Sequence, residues 1–231
     1  MSGARLLSIL IPTLVARQAL FDRLHTQLRR QIDALNAGAV VEVLWSSDDG
    51  TEPTGSKRNR LMGQASGRFI VFVDDDDRVS ADYVAQILAA IRANPGVDCI
   101  SCAGEIRFRG RHPRKLVHSI AYRDWYARGG HYLRPPCHIT PIRREIALRY
   151  RFAAIDVSED MDWTLRICRD GALRDEVVIE RILYYYDSRR HYGWQWLLDN
   201  TQTARHALGL RWVNRLGLGQ RLAAWLRISR G

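Results

Sequence analysis

The stretch FIVFVDDDDRVS, residues 69–80, places four consecutive aspartates directly behind an apolar run. The apolar run predicts a strand buried on both faces, as in a parallel sheet. Adjacent carboxylates repel one another, and the repulsion grows beside surface of low dielectric constant. Side chains alternate faces in an extended chain, which predicts that Asp74 and Asp76 share one face. Asp75 and Asp77 then share the other, and the stretch raises the question of what balances the charge.

The segments around this stretch alternate between strand and helix patterns. Apolar runs predict strands at residues 6–11, 40–45, 68–73 and 97–103. Helical spacing of apolar residues predicts helices at residues 17–35, 57–65 and 80–93, the last capped by Ser80. This order predicts an α/β fold with a mostly parallel, doubly wound sheet, in which ligands bind beyond the carboxyl ends of the strands. The polar residues at those ends are Thr13, Asp48 and residues 74–77.

The composition bounds the class of protein. The chain has 231 residues, of which 46% are hydrophobic, and a formal net charge of +10. This predicts one sizeable α/β domain, with or without a small appendage, and excludes an intrinsically disordered chain. The positive balance suits phosphate-bearing ligands or an anionic membrane surface.

The cysteines and the N-terminus bear on the compartment. Cys99 and Cys102 form a CxxC pattern, but no second ligand pair for a zinc knuckle is evident, and the segment has the pattern of a buried strand. We therefore expect core cysteines in a reduced, cytoplasmic protein. Pro12 and Thr13 interrupt the first apolar stretch, which predicts a core strand, with an export signal as the alternative. No run reaches the roughly 18 apolar residues of a membrane-spanning helix.

Two carboxylates on one side of a sheet edge suit Mg²⁺ or Mn²⁺, which take one or two carboxylates plus phosphate oxygens. The alternative is a solvated acidic turn that caps the next helix. The stretch GSKRN, residues 55–59, offers Lys57 and Arg58 to a diphosphate, or is a solvated helix start. Asn59 binds either a ligand or the loops at the sheet end.

Glu159 and Asp160 begin a predicted amphipathic helix, around residues 159–169. A carboxylate near an acceptor hydroxyl can act as a general base. Acidic residues also favour a helix N-terminus by up to about 1 kcal/mol through the helix dipole. The residues alone leave these two interpretations open.

Five patterns occur in order across roughly residues 6–170: SILIPT, EVLWSSDDG, KRNRLMGQASG, FIVFVDDDD and SEDMDWTLR. Together they resemble family 2 glycosyltransferases of the GT-A fold, with its D-x-D motif. Two departures are visible. The family's usual Tyr-Asn after Pro-Thr is Leu14-Val15 here, and the Gln/Arg-x-x-Arg-Trp motif of processive synthases is absent. The resemblance therefore implies a non-processive enzyme.

The resemblance implies a role for each matching position. It assigns donor-nucleotide contacts to Pro12, Thr13, Asp48, Lys57, Arg58, Asn59, Asp74 and Asp75. It assigns Mn²⁺ or Mg²⁺ to Asp76 and Asp74, with His191 as a candidate extra ligand. Asp160 would be the catalytic base, with Glu159 beside it. His138 is a candidate for the wall of the acceptor site.

The implied reaction is metal-dependent, inverting transfer of a sugar from a nucleotide-sugar, by default a UDP-sugar, to a hydroxyl of a glycan or lipid-linked acceptor. Synthesis of a surface polysaccharide or glycoconjugate is the expected setting. The alternatives are a nucleotidyltransferase of related fold and a basic nucleic-acid-binding module. The acidic run would repel a nucleic-acid backbone, so no nucleic-acid partner is expected.

The chain is predicted to divide at residue 193. Residues 1–193 form the catalytic domain, with a nucleotide-binding half at 1–104 and an acceptor-binding half at 105–193. Residues 194–231 form a basic amphipathic helical segment. That segment either contacts the inner face of the membrane peripherally or packs on the catalytic domain with a solvated basic face.

Overall fold

A mixed β-sheet organises the protein in the computed structural model, which describes residues 5–108 and 110–188. The strands are β1 Leu7–Leu14, β2 Val41–Asp48, β3 Phe69–Phe72, β4 Arg78–Val79, β5 Cys99–Phe108, β6 Arg111–His118, β7 Tyr126–Arg128, β8 His131–Arg134, β9 Ile142–Arg143 and β10 Glu176–Ser188. The helices are α1 Gln18–Ala34, α2 Thr54–Gln64, α3 Tyr83–Ala93, α4 Arg144–Ala147 and α5 Glu159–Arg169, and a 3-10 helix covers Val15–Arg17. The predicted α/β class is confirmed.

The first three long strands set the position of the site. β1 pairs in parallel with β2 on one side and with β3 on the other. The short β9 joins β3 to β5 by antiparallel pairing, and β5 pairs with β10 in parallel and with β6 antiparallel. Because β1, β2 and β3 run in the same direction, the residues that follow them meet at one edge of the sheet.

Helices cover the sheet through apolar stripes. In α1 the buried side chains recur at helical spacing, at Phe21, Leu24, Leu28 and Ile32. In α5 the stripe is anchored by Trp163, whose ring stacks on Phe152 at 4.7 Å between centroids. The indole N–H of Trp163 also donates to the carbonyl of Tyr150 at 2.8 Å. These contacts fix the start of α5 near the site.

One glycine lets the chain before α5 cross the start of α2. The N–H of Gly55 donates to the carbonyl of Ile155 at 3.1 Å. A Cβ at this position would lie 1.7 Å from the carbonyl oxygen of Ala153, closer than any side chain can approach. This close crossing brings the segment that leads into α5 against α2.

Some sequence predictions change in detail. α3 begins at Tyr83, and the Ser80 hydroxyl bonds Asp82 at 2.8 Å instead of capping the helix. Cys99 and Cys102 are buried and free, as predicted. Among the helices of the described residues, none has the length and hydropathy to cross a bilayer.

The chain divides into two units, Met1–His191 and Tyr192–Gly231. The second unit lies outside the described residues, and so does the basic segment at 194–231. The predicted domain boundary at residue 193 and the division at residue 104 stay predictions.

Candidate active site

The four aspartates of residues 74–77 form a turn directly after β3, and we call them the acidic turn. The backbone N–H of Asp77 donates to the carbonyl oxygen of Asp74 at 3.1 Å, so the chain reverses here instead of continuing as a strand. The predicted alternation of the four side chains between two faces is wrong, because the second and third aspartates both face Arg17.

Arg17 lies on the exposed side of the acidic turn. Its Nη1 is 2.9 Å from Asp75 Oδ1 and 3.4 Å from Asp76 Oδ2. Asp75 is buried and also accepts a 2.7 Å hydrogen bond from the hydroxyl of Thr13 in β1. The side chains of Arg17 and Asp76 keep 36% and 31% of their surface exposed, so a ligand from solution can reach them. Burial opposes the Arg17 charge, but Asp75 and its neighbours outweigh it and raise the pKa of the guanidinium.

Arg58 lies on the buried side of the same turn. Its Nη2 donates to Asp74 Oδ1 at 2.9 Å, and its Nε donates to Glu159 Oε1 at 3.1 Å. The guanidinium also lies over the ring of Phe72, 5.0 Å from the centroid, in a cation–π contact. Burial opposes the charge, but the surrounding carboxylates outweigh it and raise the pKa of Arg58. Its Nη1 is buried and has no hydrogen-bond partner in the described part of the chain.

His138 lies between a carboxylate of the acidic turn and one of α5. Its Nε2 is 3.5 Å from Asp74 Oδ2, and its Nδ1 is 3.1 Å from Asp160 Oδ2. Burial and the charge of Arg58 oppose protonation, but the two carboxylates outweigh them and raise the pKa of His138 well above its ordinary value. The imidazole thus links the D-x-D region to the start of α5.

The pKa values of the two acids that begin α5 are shifted in opposite directions. Burial raises the pKa of Glu159, and the neighbouring Asp160 raises it further, against the opposing charge of Arg58. Burial also acts on Asp160, but His138 and then Arg58 outweigh it and lower the pKa of that carboxyl. A lowered pKa keeps the Asp160 carboxyl ionised, which is the state a general base needs.

Lys57 and Asp48 form a further ion pair at the sheet edge. Lys57 Nζ donates to the Asp48 carboxylate and to the carbonyl oxygen of Thr13, the latter at 2.8 Å. The hydrogen bond from Lys57 is the main reason that the pKa of Asp48 is lowered. The contact follows from the register of the parallel strands, since Leu14 of β1 lies opposite Asp48 of β2.

Most residues that the sequence assigned to the site lie together, but Asn59 has another partner. Its side-chain amide donates to the carbonyl of Phe152 at 2.9 Å, and its oxygen accepts from the N–H of Phe152 at 2.8 Å. This is the loop contact that the sequence left open as the alternative to a ligand. Pro12 is buried within β1. His191 lies outside the described residues.

Sequence reasoning missed Arg17, Arg23 and Tyr184, which all contact the acidic turn; Arg23 Nη2 donates to the carbonyl oxygen of Asp77 at 2.9 Å. Arg17 could have been found, because it stands at the start of the helix after β1, beside the same sheet edge. Tyr184 of β10 gave no such signal. Its hydroxyl donates to Asp77 at 2.5 Å and accepts from the N–H of Asp74 at 3.3 Å.

The carboxylates of Asp74 and Asp76 suit a hard divalent cation such as Mn²⁺ or Mg²⁺. Within residues 5–108 and 110–188, no group of three or more His, Cys, Asp or Glu is arranged to hold a metal ion. A metal here would take one or two carboxylates from the protein and further oxygens from a bound phosphate and water, as Mg²⁺ commonly does. Asp74 and Asp76 keep 28% and 31% of their side-chain surface exposed, so a metal that carries phosphate and water ligands can reach either carboxylate.

Comparisons with known proteins identify the family. The model of the family described as "Glycosyl transferase family group 2" matches residues 69–229. A search of curated proteins finds no match.

Among solved structures, S. aureus TarS 1-349 in complex with UDP is 16% identical over 79% of this chain, with a TM-score of 0.55. TarS 1-349 in complex with UDP-GlcNAc gives 16% identity over 80% of this chain and a TM-score of 0.51. The mannosyltransferase PcManGT from Pyrobaculum calidifontis, in complex with GDP-Man and Mn²⁺, is 14% identical over 89% of this chain, with a TM-score of 0.50.

These structural likenesses establish the fold. The matches cover 60% and 59% of the two TarS chains and 66% of the mannosyltransferase chain, so the protein spans well under the full length of the TarS structures. The family match covers more than half of the protein and includes the acidic turn, His138 and the start of α5. The protein belongs to glycosyl transferase family group 2 and has the GT-A-like fold of these glycosyltransferases.

Proposed function

We propose that this protein transfers a sugar from a nucleotide-sugar to an acceptor hydroxyl, with inversion at the anomeric carbon. The observation that carries the proposal is the position of Asp160. It is held ionised at the start of α5 and is linked through His138 to the acidic turn. A base on one side of a site and a D-x-D region on the other can enclose a reacting anomeric carbon.

Asp160 performs the proton transfer in this proposal. The acceptor oxygen forms a bond to the anomeric carbon while the bond from that carbon to the donor phosphate oxygen breaks. The Asp160 carboxylate takes the proton that the acceptor hydroxyl loses, and the electron pair of the breaking bond leaves with the nucleoside diphosphate. One direct displacement inverts the configuration and needs no covalent nucleophile. Glu159 supports the base by holding Arg58 in place.

The donor diphosphate is proposed to lie over the acidic turn. Arg17 offers an exposed guanidinium there, and the buried Arg58 adds positive charge close to Asp74. Asp76 and Asp74 would hold Mn²⁺ or Mg²⁺, which when bound supplies positive charge to the leaving diphosphate. Pro12, Thr13, Asp48 and Lys57 line the sheet edge where the nucleoside is expected, and Asp75 positions Arg17.

The proposed class of donor substrate is based on the ligands of the structurally similar proteins. TarS binds UDP and UDP-GlcNAc, and PcManGT binds GDP-Man, which supports a nucleotide-sugar donor for this protein. We keep a UDP-sugar as the donor and a glycan or lipid-linked hydroxyl as the acceptor, with non-processive transfer in surface polysaccharide or glycoconjugate synthesis. Cytoplasmic location with peripheral membrane contact through residues 194–231 belongs to the same proposal.

The donor site is tested by calorimetric titration with UDP, GDP and dTDP, with and without Mn²⁺. We expect Mn²⁺-dependent binding of one nucleotide, and loss of that binding in Asp76→Ala. Asp82→Ala, which removes another partly exposed acid near the sheet, is the matched control. Binding of no nucleotide under any condition would contradict the proposed donor site.

The reaction is tested with the nucleotide-sugars of the base that binds, by measuring release of the nucleoside diphosphate and transfer of the sugar. Asp160→Asn should keep nucleotide affinity and lose turnover by about 100-fold or more. Wild-type turnover in that variant would remove Asp160 from the mechanism. Release of pyrophosphate instead of a nucleoside diphosphate would indicate a nucleotidyltransferase.

A further inference from the structure

His138 is built into the site from two sides. Its carbonyl oxygen accepts a 2.9 Å hydrogen bond from the N–H of Phe72, the last residue of β3. The residue before it, Cys137, closes a turn with Thr140, whose N–H donates to the Cys137 carbonyl at 2.9 Å. The same strand end that leads into the acidic turn therefore anchors the backbone of His138.

The imidazole ring faces carboxylates with both nitrogens. Only 12% of its side chain is exposed, and the two ring nitrogens lie 3.1 Å from Asp160 Oδ2 and 3.5 Å from Asp74 Oδ2. This leaves little of the ring to line an acceptor site, the role that the sequence suggested for it. The ring faces the proposed base more closely than it faces the acidic turn.

Asp160 is held at both of its carboxylate oxygens. Oδ1 accepts a 2.8 Å hydrogen bond from the N–H of Met161, and Oδ2 faces His138 Nδ1. The contact with Nδ1 is an ion pair at 3.1 Å that is not aligned as a hydrogen bond. Catalytic contacts of this kind often tighten only when the substrates bind.

We propose that His138 is a positioning residue that fixes the orientation of the Asp160 carboxylate during transfer. The inference rests on the proposed role of Asp160 as the base. His138 acts through Asp160 and touches neither donor nor acceptor. A base that is displaced by about 1 Å can lose about 100-fold in rate, so the effect falls on the chemical step and spares donor binding.

Substitution of His138 by asparagine or by glutamine distinguishes the roles of its two ring nitrogens. The side-chain nitrogen of asparagine lies near the place of Nδ1, and that of glutamine reaches the place of Nε2. If contact with Asp160 is what matters, His138→Asn keeps most of the activity and His138→Gln does not. If the contact with Asp74 matters more, glutamine rescues and asparagine fails, which would overturn the proposal.

The assay uses the full chain and the nucleotide-sugar that the wild-type protein turns over fastest, with water as the acceptor. We expect His138→Ala and His138→Gln to lower kcat by about 100-fold, with donor KM and nucleotide affinity within about 2-fold of wild type. His138→Asn should stay within about 10-fold of wild-type kcat. A loss of nucleotide affinity as large as the loss of kcat would contradict positioning of the base.

A double-mutant cycle separates this inference from the proposed function. If Asp160→Asn keeps wild-type turnover, the proposed function fails. If Asp160→Asn is inactive and His138→Ala keeps wild-type kcat, only the role of His138 fails. If both hold, adding His138→Ala to Asp160→Asn should cause no further loss, because one residue acts through the other. Should the alanine variant not fold, the asparagine and glutamine variants decide the question by themselves.

Discussion

Two arginines pair with the acidic turn from opposite sides, and they differ in burial. The side chain of Arg58 is 3% exposed and binds Asp74 and Glu159, with an aromatic ring beneath it. The side chain of Arg17 is 36% exposed and binds Asp75 and the partly exposed Asp76. Each neutralises part of the same acidic run, but only Arg17 does so at the surface.

This difference in burial predicts that Arg58 stabilises the folded site and that Arg17 is available to bind a ligand. Removing one partner of a buried ion pair leaves an uncompensated charge and typically costs about 3–5 kcal/mol. The pair of Arg17 with Asp76 is exposed on both sides, and a pair of that kind contributes about 0–1 kcal/mol, because water and salt already solvate both charges. Arg58 should therefore matter for folding, and Arg17 should matter for the donor.

The largest effect is expected for Arg58→Gln. The substitution leaves Asp74 and Glu159 without their shared buried cation and should lower the free energy of unfolding by about 3–5 kcal/mol. Urea unfolding measures it, with Arg17→Gln as the comparison. A smaller loss is expected there, because Arg17 is partly exposed and Asp75 keeps its hydrogen bond from the hydroxyl of Thr13. Equal losses in the two variants would show that burial does not distinguish the two arginines.

Asn59→Ala should also act on stability. Its amide makes two hydrogen bonds with the backbone of Phe152, so the alanine variant leaves a donor and an acceptor of that residue without partners. The expected loss is about 2 kcal/mol in the free energy of unfolding, with nucleotide affinity unchanged in calorimetry. A large fall in nucleotide affinity with no loss of stability would return Asn59 to the donor site.

Arg58 and Asn59 show how much of the site can be predicted from the sequence. The apolar runs predicted the strands and the helix at residues 159–169, because periodicity depends on neighbours in sequence. Contacts across the fold have no local signal. Arg58 reaches Glu159 over a separation of 101 positions, and Asn59 reaches Phe152 over 93. The acidic turn was expected to continue the extended conformation of the strand before it. Its contact with Tyr184, 107 positions along the chain, has no local signal in the sequence.

The proposed contact between Arg17 and the donor diphosphate is tested by Arg17→Gln. Loss of a charged hydrogen bond to a phosphate oxygen should raise the dissociation constant for the bound nucleoside diphosphate about tenfold, or about 1.4 kcal/mol. Arg17→Lys keeps the charge and should lose less. Calorimetric titration with the nucleotide that the wild-type protein binds gives both values, and wild-type affinity in the glutamine variant would remove Arg17 from the donor site.

The smallest effect is expected for Arg181→Gln, which makes the same change of charge away from the acidic turn. Arg181 pairs with Asp82 at 3.0 Å, and its side chain is 66% exposed. Its loss should change the free energy of unfolding by about 0.5 kcal/mol or less. Nucleotide affinity should stay at the wild-type value in the salt concentration used for Arg17→Gln, because Arg181 pairs with Asp82 and water and salt screen its exposed charge. If Arg181→Gln weakened nucleotide binding as much as Arg17→Gln, the Arg17 result would report the net charge of the protein. If only Arg17→Gln weakens it, the position of that guanidinium over the acidic turn is what the nucleotide recognises.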